Sequence, residues 1–155
     1  FFWKDIPLSS DLNRINFEEL SLTNGLAINM GNPHVVFFVK DIDDIDINRV
    51  GPLVENSSLF PEKVNVEICQ IINRKQIKVI VWERGAGKTL ACGSGACAAL
   101  VAAYKNNLTD PTAEIILSGG SLNITWNISS NEHVIMSGPI AVSFLGDFST
   151  LGIEK

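Results

Sequence analysis

The sequence has 155 residues, of which 46% are apolar and 19% charged, with a net charge of −5. That length fits one domain, a mean hydropathy of +0.21 supports a buried core, and the low charge content excludes a disordered chain. An acidic chain without a Lys/Arg stripe argues against nucleic acid as a partner, and no apolar run reaches the roughly 20 residues of a membrane span.

The chain opens FFWKDIPLSS, with Phe1, Phe2 and Trp3 where termini are usually polar, and is expected to be part of a longer protein cut at a domain boundary. Nothing in this opening resembles a signal peptide. Leu26–Met30 and Val35–Lys40 read as strands around a Gly31-Asn32-Pro33 turn. The following loop holds one short helix, with Asp46 as N-cap and Gly51-Pro52 expected to disturb or end it. Val64–Asn73 and Gln76–Glu83 read as a hairpin. A helix over Gly95–Lys105 follows, then β-like pieces at Ala113–Ser118, Ser121–Ile128, His133–Ser137 and Ile140–Phe144. This order predicts an α+β fold with antiparallel pairing rather than alternating β-α-β units. No charged residue lies between Lys88 and Lys105, and apolar residues cover every side of the helix. A helix apolar all round is buried all round, so a mostly antiparallel, curved sheet should wrap it, with its N-terminus opening at Cys92–Ser94.

Three cysteines, Cys69, Cys92 and Cys97, cannot all pair within the chain, and reduced thiols fit a cytoplasmic location. The glycosylation-type tripeptides at Asn56, Asn107, Asn123 and Asn127 are read as chance matches in an Asn-rich chain.

The stretch ERGAGKTLACGSGACAAL, Glu83–Leu100, admits four readings. A phosphate loop counted back from Gly87 needs a glycine where Trp82 stands. Gly93–Ala98 fits a dinucleotide turn, but such a unit needs a parallel β-α-β and an acidic residue about 20 positions on, and the next strand ends in Ser118-Gly119. Cys92 and Cys97 lack redox-pair spacing, and Cys97 and Cys69 read as small buried hydrophobes. The fourth reading is an activated thiol at Cys92, before a helix start whose free amides and dipole should lower its pKa and seat a carboxylate. Its alternative is a capping cysteine without chemistry.

Glu83 shares the apolar face of Ile77, Val79 and Val81, so it should point inward, as a functional group or in a structural pair with Arg84 or Lys88. Arg84 is suited to forking onto a carboxylate. Asn32 and His34 form a polar pair in GNPH, where a histidine is more often structural than catalytic. Asn65 lies off the apolar face of Val64, Val66 and Ile68 and reads as solvent-exposed.

GNPHVVFFV, FPEKVNVEI, WERGAGKTLACGSGACAA, SLNITW and MSGPIAVSFLGDF occur in an order that resembles the C-terminal half of the diaminopimelate epimerase family, from about Asn24 to Phe148. Proline racemases and phenazine-type isomerases share that fold without the Glu-Arg run. The resemblance implies a cofactor-independent epimerase, with no metal, that interconverts LL- and meso-diaminopimelate through two cysteines facing the α-carbon from opposite sides. It implies that Cys92 is one of them, and that Gly93 and Ser94 offer amides to the reacting carboxylate. Asn32, Asn65 and Arg84 would bind the distal end of the substrate. Glu83 would bind substrate too and, with His34, tune the thiol.

The second cysteine of the family sits in an N-terminal half that this sequence does not include. Residues 1–139 are therefore expected to form the C-terminal epimerase domain, and 140–155 a strand and tail returning to the other half. Alone, the chain is expected not to epimerise. A homodimer is compatible with the resemblance. The rivals are a related amino-acid isomerase, against which Glu83-Arg84 argues, and a carboxylate-binding domain without chemistry, in which the Cys92 thiol would be ordinary.

Overall fold

The structure, a computed structural model, describes residues 15–128 and 133–146. The readings at Phe1–Trp3 and beyond Gly146 lie outside the described residues. Nine strands form one sheet: β1 (Ile15–Phe17), β2 (Leu22–Asn29), β3 (Pro33–Phe38), β4 (Asn65–Asn73), β5 (Gln76–Glu83), β6 (Gly87–Thr89), β7 (Thr112–Leu117), β8 (Gly120–Trp126) and β9 (Val134–Ser137). They run in the order β1-β2-β3-β4-β5-β7-β8-β9, and β6 pairs with β5. Helix α1 (Ile47–Glu55) covers one face and α2 (Gly93–Lys105) the other.

Helix α2 is buried from Gly95 to Ala103, as its lack of a polar side requires. It touches β2, β3, β4, β5, β7, β8 and β9. Its alanines share a core with Ile28, Val36, Val79, Val81, Ile115 and Ile124. The second core, on the α1 face, gathers Val35, Phe37, Val50, Val54, Val66 and Ile68. Residues of β3 and β4 alternate between the two cores, so His34–Phe37 and Asn65–Cys69 are buried on both faces.

The buried helix and the mostly antiparallel sheet around it match the sequence reading. The sheet is mostly antiparallel, but β3–β4 and β5–β7 are parallel. A connection long enough to hold a helix lets the next strand return in the same direction, and α1 and α2 each lie in such a crossover. The dinucleotide reading thus loses one objection and keeps the other, because β7 ends at Leu117 without an acid following.

Pro52 does not end α1, which runs on to Glu55. Burial of Ile47, Val50 and Val54 outweighs the one lost backbone bond, and Asn56 donates its backbone and side-chain N–H groups to the Pro52 carbonyl. The GAGK run, already excluded as a phosphate loop, forms the β5–β6 hairpin, turning through Gly85 and Gly87 at φ +76° and +85°.

Ile140–Phe144 forms no strand. Ile140, Val142, Phe144 and Leu145 are 76–96% exposed. They follow Gly138-Pro139, past the edge strand β9, and no neighbouring strand among the described residues offers them a ladder.

The β5–β6 turn is tied to α1 by buried Glu55. Its carboxylate accepts from Trp82 Nε1 at 2.7 Å and from the Gly85 amide at 3.0 Å, with Lys63 Nζ at 3.6 Å. Replacing Glu55 by Ala leaves two donors without their acceptor. It should cost about 1–3 kcal/mol in urea unfolding, and a variant as stable as wild type would contradict this anchor.

Candidate active site at the start of the buried helix

Cys92 caps α2. It sits in extended backbone (φ −135°, ψ 112°), is 7% exposed, and its sulfur accepts from the Gly95 amide at 3.4 Å. The amides of Gly93 and Ser94 belong to the first turn, where no earlier carbonyl of the helix can accept them. The helix dipole makes this end attractive to an anion.

Four other side chains continue from the sulfur into the sheet. Ser94 Oγ lies 3.5 Å from Cys92 Sγ. Asn32, in the turn before β3, gives Nδ2 to Ser94 Oγ at 3.4 Å and presents Oδ1 to His34 Nε2 at 2.9 Å. His34 Nδ1 meets Glu67 Oε1 at 2.7 Å. His34 and Glu67 are both fully buried. The β3–β4 register sets Val36 beside Glu67 and His34 beside Asn65, which brings the imidazole and the carboxylate onto the α2 face. Gly95 leaves room for this approach, because a Cβ there would stand 2.7 Å from Glu67 Oε1.

Glu67 was not singled out in the sequence, where it reads as one polar position in an apolar strand. The parallel β3–β4 register is what places it beside His34, and that register is set by the crossover.

Asn65 is not exposed, as expected from the alternation of β4, but 4% exposed. Its alternate face meets α2 rather than water. The Asn65 amide donates to the Pro33 carbonyl and accepts from the Arg84 amide at 2.9 Å, joining the GNPH turn to the loop after β5. Arg84 is exposed and gives Nη1 to the Glu62 carbonyl at 3.1 Å. Glu83 is half-buried on the α2 side, and among the described residues it forms no ion pair with Arg84 or Lys88.

The expected lowering of the Cys92 pKa is reversed. Burial pushes the thiol up; the bonds from Ser94 and Gly95 pull it down less strongly, and the charges of Glu83 and Glu67 add to the rise. Helix position alone suggested a thiolate because it counted donors and omitted desolvation and two carboxylates. Burial likewise raises Glu67, against the opposing pull of His34. Burial lifts Cys97 to about 11 and Cys69 well above the usual range, which suits their reading as inert core groups. All three cysteines are free.

The family model described as "Diaminopimelate epimerase" matches residues 26–142. The chain is 47% identical to a diaminopimelate epimerase of Pelagibacter ubique over 90% of this chain and 53% of the relative. It is 45% identical to that of Rhodospirillum centenum over 95% and 50%, and 42% identical to that of Afipia carboxidovorans over 96% and 53%. The chain thus spans about half the length of the curated relatives it matches. A Bacillus anthracis phenazine biosynthesis protein of the PhzF family is similar in fold, with a TM-score of 0.51 at 19% identity, covering 70% of this chain and 34% of that one.

Because Glu83 is one of the charges that raise Cys92, Glu83→Gln should move alkylation of Cys92 to lower pH. Peptide mass spectrometry after iodoacetamide treatment at stepped pH reads the shift. An unmoved or upward profile would contradict it.

Proposed function

We propose that this chain, which belongs to the diaminopimelate epimerase family, is the C-terminal half of a cofactor-independent epimerase that interconverts LL- and meso-diaminopimelate. The observation that carries the reading is Cys92 at the opening of α2, its sulfur beside the Ser94 hydroxyl and the Gly95 amide. As thiolate, Cys92 takes the α-proton. The electron pair left on carbon spreads into the substrate α-carboxylate, and the first amides of α2, at Gly93 and Ser94, stabilise the charge that develops there. A thiol from an N-terminal half returns a proton to the opposite face, so the centre inverts. Each turnover leaves the two sulfurs with exchanged protonation, and no group outside the pair is consumed.

Arg84, Asn32, Asn65 and Glu83 form the distal recognition set. The Asn65 amide uses one hydrogen and one lone pair on the protein and retains a second of each for substrate. Glu83, without an ion pair among the described residues, is placed to receive a substrate ammonium. That cation would also offset the negative charges that hold the Cys92 thiol up.

The exposed apolar residues Ile140, Val142, Phe144 and Leu145 support a division in which 1–139 form the domain and 140–155 return to the other half. Among the described residues no helix is long and apolar enough to cross a membrane, and three free cysteines support a cytoplasmic setting. A homodimer remains compatible with the reading.

The raised thiol favours the rival of a carboxylate-binding domain without chemistry, and one experiment separates the two. In the full-length protein, Cys92→Ala should abolish both turnover and deuterium uptake at the α-carbon, while residues 1–155 alone should show no turnover. Exchange and turnover retained in the Cys92→Ala protein would sink the catalytic assignment.

A further inference from the structure

We propose that Glu67 is a positioning residue for Cys92. At the closed end of the line His34–Asn32–Ser94–Cys92 it takes up one proton, and whether that proton sits on Glu67 or on Cys92 decides whether Ser94 donates to the Cys92 sulfur or accepts from it. This rests on the reading of Cys92 as a reacting base.

The direction of the line follows from its atoms. An amide oxygen only accepts, so Asn32 Oδ1 at 2.9 Å requires the proton of His34 to be on Nε2. His34 Nδ1 then shares a second proton with Glu67 Oε1 at 2.7 Å. Glu67 Oε2 is buried and has no hydrogen-bond partner among the described residues. Half of a carboxylate left bare is costly, whereas the carbonyl oxygen of a carboxylic acid left bare costs less. The bare oxygen therefore favours the shared proton on Glu67 Oε1. Asn32 Nδ2 then donates to Ser94, whose own hydrogen is free to point at Cys92. The sulfur receives two donors, Ser94 Oγ–H and the Gly95 amide, which is a thiolate's environment.

The opposite arrangement has the same number of protons. Cys92–SH donates to Ser94, Ser94 donates to an Asn32 amide turned over, Asn32 donates to His34 Nε2, and His34 Nδ1–H donates to ionised Glu67. Going from this state to the first, the Cys92 S–H bond breaks and the Glu67 O–H bond forms, while the imidazole hydrogen changes from Nδ1 to Nε2. One negative charge passes from the carboxylate to the sulfur. The site thus holds a single charge with two resting places, joined by side chains that can reverse their direction.

The groups that face this pair of resting places are His34 from β3, Glu83 from β5 and Cys69 on β4 beside Glu67, with Cys97 facing Cys92 from within α2. Cys69 and Cys97 stay protonated through the neutral range.

Alkylation of Cys92 by iodoacetamide in the full-length protein, followed by peptide mass spectrometry from acid to alkaline pH, tests the line without needing turnover. Wild type should show two steps separated by a plateau, where the thiolate fraction is set by exchange with Glu67 and not by pH. Glu67→Gln removes the exchangeable proton. A neutral amide cannot take up the proton that Cys92 gives, so the plateau should vanish and leave one step. Ser94→Ala, at the half-exposed helix start, breaks the other end and should also leave one step; it decides the matter if Glu67→Gln fails to fold. A single step in wild type, or a plateau kept in either folded variant, overturns the proposal. Turnover surviving Cys92→Ala would instead sink the catalytic reading and leave the alkylation comparison intact.

Discussion

Helix α2 gives no side to water. From Gly95 to Ala103 each residue is buried, and seven strands touch it. A helix enclosed this way can meet a ligand only at an end. Its C-terminal end runs into Asn106 and the turn before β7, where the carbonyls of Ala102, Ala103 and Tyr104 accept from the amides of Asn106, Leu108 and Asn107. Its N-terminal end has bare glycine backbone, unpaired amides and a cysteine cap. Enclosure of the shaft therefore selects where chemistry can occur, and the sheet that supplies the enclosure also supplies the polar groups around Cys92.

The two helices divide the work of holding that end. α1 sits on the far face of the sheet and reaches the β5–β6 turn through Glu55, fixing the segment that carries Arg84. Asn65 grips the same segment from the other side and ties it to the Pro33 carbonyl, one residue from Asn32. Both ties take up a backbone amide of that segment, Gly85 and Arg84, so they set the path of the chain. The groups facing α2 are then held in register by strands whose two faces are both packed.

Composition made the buried helix legible, since an uncharged alanine run can exist in water only when covered. Gln76–Glu83 was legible by period two, and the side of Glu83 came with it. The Cys92 position was legible because the uncharged, alanine-rich helix pattern begins just after it. Three things were hidden. Alternation in β4 placed Asn65 in water because a strand buried on both faces mimics a half-buried one once a polar residue interrupts it. That α1 continues past Pro52 was hidden because local propensity, which lets Gly51-Pro52 disturb or end a helix, carries no information about the core beneath α1. Glu67 was invisible because its partner, His34, is 33 residues away, and only a parallel register joins them.

Strand β4 carries Val66 and Ile68 in one core and Asn65, Glu67 and Cys69 on the opposite face. The same backbone thus serves as scaffold and as site, with no linker between them. In most enzymes the reactive groups sit on loops that tolerate variation while the framework stays constant. Here substitutions that repack β4 to raise melting temperature also move the carboxylate behind the helix cap. Robustness and the candidate site share one strand, so selection for either one constrains the other.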